Sequence, residues 1–73
     1  MDVRYSDHAR LQMEKRAISE VDVETALRHR IGAPGPGQLG TMWLWGLAVG
    51  GRTLKVCVRT SDQDFVITAA WPD

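Results

Sequence analysis

The pair Gly50-Gly51 restricts this chain more than any other feature, because it separates two segments in which apolar residues recur at alternate positions, Thr41 to Val49 and Arg52 to Thr60. Alternation of this kind marks a half-buried strand, and a Gly-Gly pair between two such runs predicts a hairpin closed by a two-residue turn of type I′ or II′. That turn fixes a register. Val49 falls opposite Arg52, Leu47 opposite Leu54, Trp45 opposite Val56 and Trp43 opposite Val58, on the face assigned to the core. The other face carries Met42 with Arg59, Leu44 with Cys57, Gly46 with Lys55 and Ala48 with Thr53. Ser61-Asp62-Gln63-Asp64 predicts a polar turn into a third strand, Phe65 to Trp71. In that register Ile67, Ala69 and Trp71 point inward, while Val66, Thr68 and Ala70 lie outside beside Arg59, Cys57 and Lys55.

Two helices precede these strands. Ser6 is a natural N-cap for a helix running to about Arg16, with Asp7 in its first turn and no Gly or Pro inside. At 100° per residue Ala9, Met13 and Ala17 form an apolar stripe, with His8, Gln12 and Arg16 in a row beside it. Ser19 with Asp22 three residues on reads as a capping box, and Ile18 with Val23 as a hydrophobic staple. This second helix is expected to end near Arg30, with Arg28, His29 and Arg30 at the end of the dipole that favours positive charge. Four Gly and two Pro between Ile31 and Gly40 predict a loop from helices to sheet. The resulting fold class is α+β, two N-terminal helices packed on a three-stranded, or four-stranded, antiparallel β meander.

The 73 residues allow one domain, 1–73, and a chain of that length buries only roughly 60% of its unfolded surface, so a second buried surface would help it. A hydrophobic fraction of 44% argues against disorder. Nine basic and nine acidic side chains cancel, so any site for a polyanion must arise from local segregation of charge. Cys57 is the single cysteine, which excludes an internal disulfide and a zinc cluster built on cysteines. Met1 to Arg4 show no signal-peptide core, and the longest apolar run, Met42 to Val49, is too short to span a bilayer. A cytoplasmic location without membrane association is the expectation. Two histidines and scattered carboxylates lack a ligand spacing, so no metal or other cofactor is expected.

Among residues able to carry chemistry, His8 occupies the second helical position, where an imidazole suited to proton transfer sits beside unpaired backbone N–H groups that can receive a phosphate oxygen. Arg16 lies two turns along the same row. The face opposite the core carries Lys55, Arg59 and Thr68, two cations and a hydroxyl able to hold a phosphodiester. Each has a simpler reading, as a solvated helix face and a soluble sheet face. The tryptophans Trp43, Trp45 and Trp71 are all assigned to the core.

The stretch YSDHARLQMEKRAIS resembles the opening of a bacterial family of small proteins with the pattern S-x-H-A-x-x-R-M-x-x-R-G-I-S, followed by a helix and a β meander ending in V-I-T. The matching residues are Ser6, His8, Ala9, Met13, Arg16, Ile18 and Ser19, then the VDVETAL helix and Val66-Ile67-Thr68. That family is related to the RelE-like and BrnT-like toxins of the barnase, colicin and RelE ribonuclease superfamily. The resemblance implies a RelE/barnase-like fold and a toxin-type endoribonuclease that cleaves RNA without a metal and is silenced by an antitoxin protein. It nominates His8, Arg16 and Thr68 as catalytic, whereas Lys55 and Arg59 enter as RNA-binding from their face alone. Two positions depart from the pattern: Gln12 replaces its first Arg, and Ala17 replaces its Gly. The alternative is a non-catalytic interaction module or degenerate relative that works as a homodimer or with another chain.

Overall fold

In the computed structural model, which describes residues 2–72, five strands and two helices follow in the order β1 (Arg4–Tyr5), α1 (Asp7–Lys15), α2 (Glu20–Arg28), β2 (Gly35–Pro36), β3 (Thr41–Leu47), β4 (Thr53–Arg59) and β5 (Asp62–Ala70). Met1 lies outside the described residues. The α+β class holds, but the sheet is a five-stranded mixed one in the order β1-β5-β4-β3-β2. The three-strand meander expected from the sequence forms its middle. β1 adds in parallel to β5, and β2 adds antiparallel to β3.

Both helices begin where their caps place them. The Ser6 hydroxyl accepts from the Ala9 N–H, and Ser19 with Asp22 forms a complete reciprocal capping box. Helix α1 ends in a Schellman motif, with the Ile18 N–H on the Met13 carbonyl at 2.9 Å and the Ala17 N–H on that of Glu14 at 3.3 Å. Ile18 and Met13, the apolar pair of that motif, are both buried. The motif requires a left-handed residue, and Ala17 supplies it at φ 55°. Helix α2 stops at Arg28 rather than near Arg30, because the chain turns at His29 to run along the edge of β3.

That turn overturns the expectation of an unstructured connector from Ile31 to Gly40. The His29 carbonyl accepts from the Leu47 N–H, the Ile31 N–H donates to the Trp45 carbonyl, and Gly35–Pro36 pair with Trp43 and Met42. Glycine and proline disfavour a central strand, but an edge strand tolerates both.

The hairpin register also differs from expectation. The loop between β3 and β4 holds three residues, Val49–Gly51, closed by hydrogen bonds from the Gly51 N–H to the Ala48 carbonyl and from the Ala48 N–H to that of Arg52. Gly50 lies at φ 81°, ψ 4°, the third position of a type II turn. One extra loop residue shifts the pairing to Met42 with Val58, Leu44 with Val56 and Gly46 with Leu54. A one-residue shift exchanges the two faces of a strand. Leu44, Gly46 and Ala48 are therefore buried beneath the helices, while Trp43 and Trp45 stand on the opposite face beside Cys57 and Lys55.

Gly46 shows why this register prevails. A Cβ at that position would collide with the Ala26 carbonyl oxygen and come within 2.6 Å of its carbon, so α2 lies directly on the strand backbone. Tryptophans at that layer would hold the helix off the sheet.

On β5 the expected pairing holds for Lys55 with Ala70, Val56 with Ala69 and Cys57 with Thr68, then shifts at a bulge so that Val58 meets Val66. Val66, not Ile67, completes the core with Ala9, Met13, Ile18, Val23, Leu27, Leu54, Val56 and Val58, and Trp71 packs against it as expected. Tyr5 also packs against the core; its hydroxyl is buried without a hydrogen-bond partner among the described residues, and burial pushes its pKa up to about 12.

Gly46→Ala is expected to destabilise the fold by roughly 2–3 kcal/mol, the cost of overpacking a contact that cannot open, read as a lower urea midpoint. Ala17→Gly is expected to stabilise the fold by about 0.5–1 kcal/mol, read as a higher urea midpoint, since relief of the left-handed strain exceeds the extra chain entropy of glycine.

Candidate functional site

The helices leave the other face of the sheet uncovered, and on it lies a groove of about 400 Å³ lined by His8, Gln38, Thr41, Trp43, Cys57, Ile67 and Thr68. Its floor comes from three adjacent strands: Trp43 and Cys57 are direct partners across β3 and β4, and Cys57 and Thr68 across β4 and β5. His8 comes from the first turn of α1, and Gln38 from the turn between β2 and β3.

Two local devices bring His8 to a face its helix does not cover. One is the bulge in β5. Neighbouring residues of a regular strand point to opposite faces, yet Ile67 and Thr68 both line the groove, which the extra residue at the bulge allows. The second is Ser6, whose N–H donates to the Val66 carbonyl at 3.0 Å and whose hydroxyl donates to that of Ile67 at 3.1 Å, while its oxygen caps α1. The helix thus starts on the bulge itself, and His8, two residues on, overhangs the rim.

Arg16, at the far end of the same row, does not line the groove. Its guanidinium donates to the Ala69 carbonyl at 2.8 Å, and its own carbonyl accepts from the Trp71 indole N–H at 2.8 Å. The Arg52 guanidinium lies 3.8 Å from the Trp71 ring centroid. This interlock fastens the C-terminal end of α1 to the end of β5, as Ser6 fastens the N-terminal end.

The two cations assigned to this face lie on it, on either side of the groove floor. The Lys55 ammonium sits 4.7 Å from the Trp43 ring centroid, and the Arg59 guanidinium 4.0 Å from that of Phe65. Neither forms a salt bridge among the described residues. Asp62 faces Arg59 across the strands, but its carboxylate is held by Arg4, and that hydrogen bond keeps its pKa below the usual carboxylate range. Among the described residues no group of three His, Cys, Asp or Glu is placed to hold a metal, and no helix is long and apolar enough to cross a membrane.

The site therefore unites His8, Thr68, Lys55 and Arg59 on one face and adds Trp43, which the two-residue turn had put in the core. The signal for Trp43 lay in the alternate positions Gly46 and Ala48, whose small size marks the side of β3 that a helix can approach. Compared with protein-family models, characterised proteins and solved structures, the chain matches none.

Ser6→Ala is expected to cost about 1–2 kcal/mol, because one hydroxyl serves both the helix cap and the bulge. Chemical denaturation measures the loss, and amide exchange in the first turn of α1 should accelerate with it.

Proposed function

We propose that this chain is a metal-independent endoribonuclease of toxin type that acts on single-stranded RNA and is restrained by an antitoxin protein, with the RelE/barnase-like relationship that its opening motif resembles. The observation that carries this reading is the meeting of His8 with Trp43 and Thr68 in a groove on the uncovered face of the sheet, flanked on the same face by two cations that form no salt bridge among the described residues. Each has a place in RNA cleavage. An unpaired base stacks on an indole, which favours a single strand over a duplex, where bases are stacked on one another. The His8 imidazole takes the proton of a ribose 2′-hydroxyl, and the freed oxygen attacks the adjacent phosphorus as the bond from phosphorus to the 5′-oxygen of the next nucleotide breaks. That 5′-oxygen leaves with the proton His8 returns, giving a 2′,3′-cyclic phosphate and a 5′-hydroxyl. Of Lys55 and Arg59, the one that holds the scissile phosphate stabilises the charge that gathers on the phosphorane, the other holds the neighbouring phosphate, and the Thr68 hydroxyl offers a hydrogen bond to a phosphate oxygen. Arg16, which the resemblance also nominates, serves here as a positioning residue, holding α1 on β5 through the Ala69 carbonyl.

Ala17 fits the same relationship. The family pattern has glycine at this position, and the chain adopts there a left-handed conformation that glycine adopts without strain.

The uncovered aromatic face would equally serve a module that binds another chain or a second copy of itself, and one experiment separates the readings. Induced expression of wild type is expected to arrest growth and fragment cellular RNA. His8→Ala should lower the cleavage rate by about 10²-fold or more, the usual worth of a general base. Arrest and transcript profiles that are identical for wild type and His8→Ala would exclude the nuclease reading in favour of the binding module.

A further inference from the structure

The arrangement of the groove fixes how much of a strand it can hold. Its volume of about 400 Å³ falls near the lower end of the range of small-ligand sites, roughly 300–1,000 Å³, the scale of one nucleotide. Trp43 forms one wall of it. Lys55 and Arg59 belong to the same strand and the same face, with Cys57, the groove floor, midway between them. Four residues of strand place their Cα atoms roughly 13 Å apart. Both side chains rest on aromatic rings and neither forms a salt bridge among the described residues, although the Asp62 carboxylate, held by Arg4, lies across from Arg59.

We infer that the groove seats a single internal nucleotide of an RNA strand, its base stacked on Trp43, with the phosphate on one side held by Lys55 and the phosphate on the other by Arg59. The strand consequently runs along β4, across the sheet face, and the site distinguishes an internal nucleotide from a free mononucleotide because only the former carries a phosphate at each end. The amide of Gln38 and the hydroxyl of Thr41 lie at the rim, where they meet the edge of the seated base. The Thr41 hydroxyl donates to the Gln38 carbonyl at 2.8 Å, so this rim is held in place before any ligand arrives. The inference rests on RNA as the ligand of this groove, but not on cleavage.

It is tested by binding, in a His8→Ala background so that the strand survives. The probes are a short fluorescent single-stranded oligoribonucleotide, the same strand annealed to its complement, a version with one central abasic nucleotide flanked by dissimilar sequence, and a uridine monophosphate competitor. The single strand is expected to bind, with the duplex and the mononucleotide at least tenfold weaker. Trp43→Ala should weaken single-strand binding by roughly 5- to 150-fold, with Trp43→Phe retaining most of it. Lys55→Gln and Arg59→Gln should each lower the slope of log K against log salt by about 0.7, the value of one phosphate contact on a single strand. Circular dichroism confirms that each variant is folded. Unchanged slopes in both Gln variants, or duplex binding equal to that of the single strand, would overturn the one-nucleotide footprint. Binding as expected without cleavage by wild type would remove the nuclease reading and leave the footprint standing, whereas cleavage with both slopes unchanged would do the reverse.

Discussion

The contact between the Ala26 backbone and Gly46 governs the rest of this structure. Where a helix rests on a strand with no side chain between them, that side of the strand has no room for an indole, and β3 meets that need with Gly46 and Ala48, beside a buried Leu44. The same strand cannot bury Trp43 and Trp45 on that side. Their place on the opposite face follows from the steric limit of a single position. The three-residue loop at Val49–Gly51 is the backbone solution that delivers this register, and Gly35 completes it: a Cβ there would lie 2.8 Å from the Trp45 ring, so the indole folds flat over the edge strand.

A second constraint positions the chemistry. Helix α1 is fastened to β5 at both ends, through Ser6 on the Val66 and Ile67 carbonyls and through the exchange between Arg16, Ala69 and Trp71. The bulge in β5 aims Ile67 and Thr68 toward the same side, and the start of the helix on that bulge brings His8 to them. A residue from the helical layer thereby reaches the uncovered face around the edge of the sheet, which the fold's layering alone would forbid. The two arginines of the row and the clamp, Arg16 and Arg52, are engaged in holding this geometry, whereas Lys55 and Arg59 lean on aromatic rings and keep their charge toward solvent. In a chain with no net charge, this division of labour creates a local cationic surface.

Local signals in the sequence were read correctly where the physics is local. The caps at Ser6 and Ser19, the staple of Ile18 and Val23, the inward Leu54, Val56 and Val58, and the outward Lys55, Cys57 and Thr68 depend on neighbours a few residues away or on strict alternation. Alternation placed Lys55 and Arg59 on one face, whereas His8, Arg16 and Thr68 were nominated as catalytic by resemblance; of these five Arg16 is the one turned away from that face, onto the Ala69 carbonyl. Gln38 and Thr41 were not legible, because their place depends on a glycine-rich segment that pairs as an edge strand. Trp43 was assigned to the wrong face because the loop is one residue longer than the Gly-Gly pair suggests, although the small Gly46 and Ala48 marked the side a helix approaches.

By itself, then, the sequence determined two capped helices, a β hairpin with a third antiparallel strand, and the side of β4 that carries the cations, since each is set by hydrogen bonds and alternation within a short span. Tertiary structure decided the register of β3, the parallel addition of β1, the edge strand at Gly35–Pro36 and the meeting of His8 with Thr68. Those depend on how closely α2 can approach Gly46 and where α1 is anchored on β5. Distances between segments far apart in the chain are fixed only when the core closes.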